Sequence, residues 1–156
     1  MKLKSCEGIT ILELVIVLAI LGLLVASAGP IYTRLQTSSQ VSTAVSTVML
    51  TLRKAQIRAE SRVNNSQHGV HVTTNIVGQD SITLYQGASY ATRDVAYDEV
   101  TTYPEVLNLT TTLTGNDINF SRSKGVPDNT GSITITHIYT GSVTISINAL
   151  GRVEQN

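Results

Sequence analysis

Three scarcities limit what this chain can be. It has one Cys in 156 residues, no Trp and one Phe, and only 14% of its residues are charged. A lone Cys6 cannot close an intrachain disulfide or build a Cys-based zinc site. Without Trp, and with Phe120 as the single Phe, the chain offers few aromatic platforms for stacking single-stranded nucleic acid. Lys and Arg number 11, as do Asp and Glu, so no overall positive field recruits a polyanion. Globular chains average about 25% charged residues; here 21 Thr and 15 Ser supply the polar surface instead. That hydroxyl-rich, β-branched composition suits strands and sheet edges better than a charged helical bundle. The length fits one domain.

The apolar residues are concentrated in one place. From Leu14 to Thr33 no residue is charged, and Leu14-Val15-Ile16-Val17-Leu18-Ala19-Ile20-Leu21 opens the run. About 20 apolar residues cross a hydrocarbon core of about 30 Å, and no second such segment follows, so a single pass is the most the sequence predicts. Lys2 and Lys4 precede the run and Arg34 follows it, which orients the amino terminus to the cytoplasm and the bulk of the chain outside it. A secretory signal peptide has a basic region, a short apolar stretch and then a small-residue cleavage site. Ala26-Ser27-Ala28 offers such a site, so removal of the whole run is an alternative. Residues 1–8, however, form a short leader with almost no apolar length, and no apolar segment precedes Cys6 to make it a lipoprotein cysteine.

Glu13 stands against this pattern. A lone carboxylate in an apolar helix costs about 2.5 kcal/mol or more to insert at the bilayer centre. Either Glu13 stays hydrated at headgroup level, or it awaits a cation that appears only in an assembled state. An α-amino group freed by cleavage after Gly8 would be such a cation, four residues away on Ile9.

The segment Gly8-Ile9-Thr10-Ile11-Leu12-Glu13, with its uninterrupted apolar run, resembles the processing site of type IV pilins and type II secretion pseudopilins. The resemblance implies that a prepilin peptidase cuts after Gly8 and methylates the new amino terminus, where Ile9 replaces the family's usual Phe. It implies that Cys6 leaves with the leader, so the mature head lacks the carboxy-terminal disulfide loop of many major pilins. Gly22 and Pro30 fall where the family commonly carries helix-weakening residues, and a bend is expected there.

Beyond the run, Gln36 to Val63 has no Gly or Pro. Val41, Val45, Val48, Leu52, Ala55 and Ala59 recur at helical spacing, with Ser, Thr and Lys54 on the other faces. The helix therefore continues as an amphipathic element, and Asn64-Asn65-Ser66 is its expected stop. The remainder reads as six short strands of period two: 69–73, 81–85, 106–109, 117–120, 132–136 and 142–147. Alternation predicts antiparallel sheet with one wet face. Thr140-Gly141-Ser142 reads as a hairpin turn, and Gly87 to Pro104 as a variable loop. Phe120 to Gly125, Gly131 to Ile135 and the closing Ile145 to Val153, taken with the helix, are similar to H-type minor pseudopilins and FimT-type minor pilins.

No catalytic or metal constellation stands out. His68 and His71, three apart in a strand, face opposite sides, and His137 reads as a strand residue. Asp94, Asp98 and Glu99 lack the alternating acidic spacing of a Ca²⁺ loop, and no Gly-x-Ser-x-Gly elbow occurs. Charge does separate along the chain: residues 34–62 carry +4 and residues 63–156 carry −4, which suggests an acidic head docking on a neighbour's basic stem. FimT-type proteins that take up DNA end in Gly-Arg-x-Lys; here Gly151-Arg152-Val153-Glu154 ends in an anion, so DNA is not an expected partner.

These readings converge on an α+β, pilin-like chain: leader 1–8, membrane and assembly helix 9–33, amphipathic helix 34–64, and an extracytoplasmic β-rich head 65–156. The expected protein is a minor pseudopilin of a type II secretion system, with a minor pilin of a type IV pilus as the alternative. It needs no catalytic residue, metal or cofactor. Its expected partners are other pilins, the prepilin peptidase and the bacterial inner membrane, with Gly8 and Ile9 as processing residues and Glu13 as the assembly residue.

Overall fold

The computed structural model describes residues 8–75 and 78–156, with the side chains of residues 26–34 outside the description. Two compact units divide the chain, Met1–Gln36 and Thr37–Asn156. One helix, α1 (Ile11–Glu60), contributes to both.

In the first unit Thr10 sets the start of α1. Its Oγ1 accepts the Glu13 N–H at 3.2 Å and its carbonyl accepts the Leu14 N–H at 3.2 Å. A hydroxyl at this position satisfies one of the amides that the first helical turn leaves without a partner, so the helix begins two residues after Ile9. The large apolar side chains from Ile11 to Val25 are each between 48% and 84% exposed. Among the described residues no helix is long and apolar enough to cross a membrane; the described side chains of this run stop at Val25, and the rest of the expected 9–33 span lies beyond them. The leader through Glu7, with Lys2, Lys4 and Cys6, also lies outside the described residues, as do the side chains of Pro30 and Arg34. The helix is continuous through Gly22 and residue 30.

In the second unit, α1 is laid against two antiparallel sheets. The strands are β1 (His68–Thr73), β2 (Ser81–Gln86), β3 (Glu99–Thr102), β4 (Leu107–Thr111), β5 (Asp117–Phe120), β6 (Gly131–His137), β7 (Gly141–Ile147) and β8 (Val153–Gln155). Their orders are β3-β2-β1-β5 and β4-β6-β7-β8. Val45, Val48, Leu52, Ala55 and Ala59, five of the six stripe residues, are buried at 3% exposure or less, and Val41 packs at the margin. Facing them are Val70, Val72, Ile82, Leu84, Ile118 and Phe120 of the first sheet and Leu109, Ile133, Ile135 and Ile145 of the second. Each such side chain contributes about 1.5–3 kcal/mol on leaving water, so one continuous core holds both sheets to the helix.

Four expectations need correction. The helix stops at Glu60 instead of Asn64 because Arg62 turns left-handed (φ 54°), and the Ala59 carbonyl, in the last turn, accepts the Ser123 N–H at 2.9 Å. The 87–104 segment is not wholly loop: it holds two short 3₁₀ turns and strand β3, which pairs with β2 in the register Ser81↔Thr102. The first sheet has no wet face at its centre, since Ile82 to Tyr85 are buried in succession. The 87–98 segment covers its outer side, with Asp94 N–H donating to the Gln86 carbonyl at 2.9 Å. Finally, the β6–β7 turn comprises Ile138 to Thr140, and Gly141 opens β7 opposite His137, using φ +119°, which glycine tolerates.

Candidate functional site

The processing segment is sterically open. Gly8, Ile9 and Thr10 precede the helix in an exposed, irregular conformation, and Ile9 is 77% exposed. A Cβ built on Gly8 would meet no atom within 4 Å. The chain's own packing among the described residues therefore does not demand glycine at this position. Glu13 lies in the first turn of α1, where the positive end of the helix dipole favours a carboxylate. Together Thr10 and Glu13 have the spacing of a capping box.

The basic stem is partly neutralised within the head. Glu99 accepts hydrogen bonds from Lys54 Nζ and, at 2.6 Å, from Arg58. Lys54 first, then Arg58, holds the Glu99 carboxyl below the usual carboxylate range. Arg62 Nε donates to Ser123 Oγ at 2.6 Å. The sequence-level separation of charge is thus drawn down by pairs inside one chain, and less of it is available to dock a neighbour. At the tail, Arg152 Nε and Glu154 Oε1 pair at 2.8 Å on the surface.

The three loop carboxylates diverge. Asp94 Oδ1 accepts the Ala96 N–H at 3.1 Å, Asp98 Oδ2 accepts from Arg93 Nε at 2.8 Å, and Glu99 serves the stem. Among the described residues no three His, Cys, Asp or Glu side chains gather to hold a metal ion. His68 shares the core face of β1 with Val70 and Val72, and His71 takes the other face. Burial, then the Arg58 charge, lowers the His68 pKa. The His71 pKa is lowered chiefly by burial, against the opposing effect of Asp117. His137 ends β6, where its Nδ1 accepts the Tyr139 N–H at 3.1 Å.

Sequence reasoning did not anticipate a polar cluster on the outer side of the first sheet. Tyr85 donates to Asp117 Oδ2 at 2.9 Å and accepts from Asn119 Nδ2 at 3.0 Å; Asn119 Nδ2 also reaches the Gly87 carbonyl at 2.9 Å. Tyr90 stacks on His71 with 3.7 Å between ring centroids, and the Arg93 guanidinium lies 3.8 Å over the Tyr90 ring. Burial raises the Asp117 pKa and pushes the Tyr85 hydroxyl up as well. Gly69 makes room for this arrangement, since a Cβ there would lie 2.3 Å from the Tyr85 hydroxyl and 2.7 Å from the Ile118 carbonyl. The cluster pins the 87–98 segment to the sheet.

Asp80 was also missed. It is 4% exposed, and its two oxygens accept the N–H groups of Asn75 at 2.7 Å and Leu109 at 2.6 Å. It thus ties the segment after β1 to an outward-facing amide of β4, joining the two sheets. A single Asp in a polar stretch carries no periodic signal that would have revealed this.

No family model matches the chain, and comparison with curated proteins found no match. Among solved structures, the chain is similar to the crystal structure of the type IV minor pilin FimU of Pseudomonas aeruginosa, at 14% identity and a TM-score of 0.54. The likeness covers 74% of this chain and 91% of that one. At that identity it shows the fold: α+β and pilin-like, a long amino-terminal helix followed by antiparallel sheets.

Proposed function

We propose that the chain is a structural subunit of a pilus-like filament, specifically a minor pseudopilin of a type II secretion system, processed after Gly8 and held in the bacterial inner membrane until assembly. The observation that supports this reading is the pilin-like fold on a chain whose helix is opened by the exposed Gly8-Ile9-Thr10-Ile11-Leu12-Glu13 segment, three residues before α1 and its first three. The exposed apolar side chains from Ile11 to Val25 represent stabilisation on the order of 20 kcal/mol if buried in lipid or among neighbouring helices. Residues 9–33 span the inner membrane, with the leader cytoplasmic and the head outside. Prepilin peptidase frees and methylates the Ile9 amine, and Glu13 compensates that cation when surrounding subunits exclude water. The function is packing and charge compensation, and no catalysis is involved.

A second reading, a minor pilin of a type IV pilus, is favoured by the likeness to FimU. Under either reading DNA is a poor partner for the tail, where Glu154 neutralises Arg152.

Intact mass of the membrane-extracted protein, produced together with a prepilin peptidase, tests the reading. The wild-type mass should lack residues 1–8 and carry one added methyl group, whereas Gly8→Leu should retain the leader. A Gly8→Leu product cut at the same bond and methylated would refute it.

A further inference from the structure

A polar cleft in the head has no part in the proposed function. It lies where the last turn of α1, the starts of β1 and β3 and the end of β2 meet the 3₁₀ turn Val95–Tyr97. Its volume is about 390 Å³, within the range of about 300–1,000 Å³ that small-ligand sites occupy. Arg58, Asn64, His68, Gln86, Tyr97 and Asp98 line it, all of them inside the unit Thr37–Asn156.

Two of these side chains keep hydrogen-bonding capacity that the fold does not use. His68 is 2% exposed; the Ser66 backbone is a polar neighbour, but His68 Nδ1 has no partner of hydrogen-bonding geometry. The Asp98 side chain is 10% exposed; its Oδ2 accepts from Arg93 Nε at 2.8 Å, while its Oδ1 has no partner. Buried polar atoms are normally paired, so a ligand hydroxyl that satisfies them gains more than it would on an open surface. Asn64 Nδ2 donates to Gln86 Oε1 at 2.7 Å, which leaves Asn64 Oδ1 as an acceptor and Gln86 Nε2 as a donor.

The chemistry of the lining narrows the ligand class. Each charged group already has an opposite charge: Asp98 has Arg93, and Arg58 shares Glu99 with Lys54. Burial, then the Arg58 charge, lowers the His68 pKa, so at neutral pH its imidazole is uncharged and offers one donor and one acceptor. A charged ligand would have to displace an existing partner; a neutral one would not. Tyr97, 48% exposed, adds an aromatic surface on which an apolar face can pack. Amide, carboxylate and imidazole groups beside a half-exposed ring suit a neutral molecule with hydroxyls around its edge and C–H groups on its face.

We propose that this cleft is a carbohydrate site for a neutral pyranose, which packs its C–H face on Tyr97 and sets its hydroxyls against Asp98, His68 and the Asn64–Gln86 pair. The inference is independent of the membrane span and of processing after Gly8, and its failure leaves the proposed function standing.

Saturation-transfer NMR on the full-length protein in a non-glycosidic detergent tests it. The probes are the methyl glycosides of glucose, galactose, mannose and N-acetylglucosamine, with the peptides Gly-Lys-Gly and Gly-Glu-Gly as charged competitors. Expected is transfer to the ring protons of at least one glycoside, with affinity weakened about tenfold by Tyr97→Ala and by Asn64→Gly. Asn64 has φ 51°, which glycine adopts freely, so Asn64→Gly removes the amide and keeps the turn. Tyr139→Ala, which removes an 81%-exposed tyrosine from the β6–β7 turn, should leave binding unchanged. Preference for N-acetylglucosamine would support the site and indicate a cell-wall glycan; preference for a plain hexose would support it and indicate a surface or secreted polysaccharide. Transfer to no glycoside would overturn the proposal. Transfer that survives both Tyr97→Ala and Asn64→Gly would overturn it too, since the sugar would then bind elsewhere, as would equal loss in Tyr139→Ala, which would mark non-specific stacking. Stronger transfer to either peptide than to every glycoside, lost in Tyr97→Ala, would overturn it in favour of a protein partner.

Discussion

Replacing Asp80 by Ala tests whether the two sheets are joined as described. The carboxylate accepts two backbone N–H groups at 2.7 and 2.6 Å and is 4% exposed. Hydrogen bonds to a charged group contribute about 1.5–3 kcal/mol each. The variant also avoids desolvating a carboxylate, which offsets part of the loss, and a net cost of about 3 kcal/mol is expected. For the unit Thr37–Asn156, at about 4 °C per kcal/mol, this corresponds to a fall in Tm of about 12 °C. Asp80→Asn keeps the volume but turns an amide NH₂ towards one of the two donors, so it should recover less than half of the loss. Asp94→Ala, which removes an exposed cap, is the control and should cost about 1 kcal/mol or less. Thermal unfolding followed by circular dichroism checks all three. An Asp80→Ala variant within about 3 °C of wild type would show that Asp80 does not couple the sheets.

Further outcomes follow from the core and the outer cluster. Leu52→Ala should lose about 2–5 kcal/mol in denaturant unfolding, because Leu52 is fully buried between helix and sheets. Gly69→Ala should cost about 1–3 kcal/mol through its clash with Tyr85 and the Ile118 carbonyl, and the Gly69→Ala/Tyr85→Ala pair should be less than additive. The lowered His68 and His71 pKa values mean that the unfolded chain binds protons first as pH falls. Stability should therefore decline below about pH 6.5, and His68→Gln should flatten that decline in urea titrations at successive pH values. Asp117 has the opposite sign: its raised pKa makes the folded state the better proton acceptor, so its contribution grows as pH falls towards the unfolded value near about 3.9. Asp117→Asn should abolish that recovery.

What was legible in the sequence was local and periodic. The stripe Val45, Val48, Leu52, Ala55 and Ala59 identifies a buried helix face because 3.6-residue spacing brings those side chains onto one side whatever they pack against. Six strands were visible for the same reason, since long alternating or β-branched runs carry their own preference. The reading of Gly8–Glu13 as a processing site rests on residue types in order, which no feature of the fold duplicates. Tertiary structure decided the rest. Glu99–Thr102 and Val153–Gln155 are too short to declare themselves, and become strands only because β2 and β7 offer them open edges. The end of α1 was settled by Ser123, a residue 63 positions beyond Glu60 in the chain. Asp80 and the Tyr85–Asp117–Asn119 cluster acquire their roles from partners 32 to 34 positions apart for Tyr85 and 29 positions apart for Asp80 and Leu109. Such long-range hydrogen bonds form only once the hydrophobic core has brought distant segments together, and no periodicity along the chain encodes them.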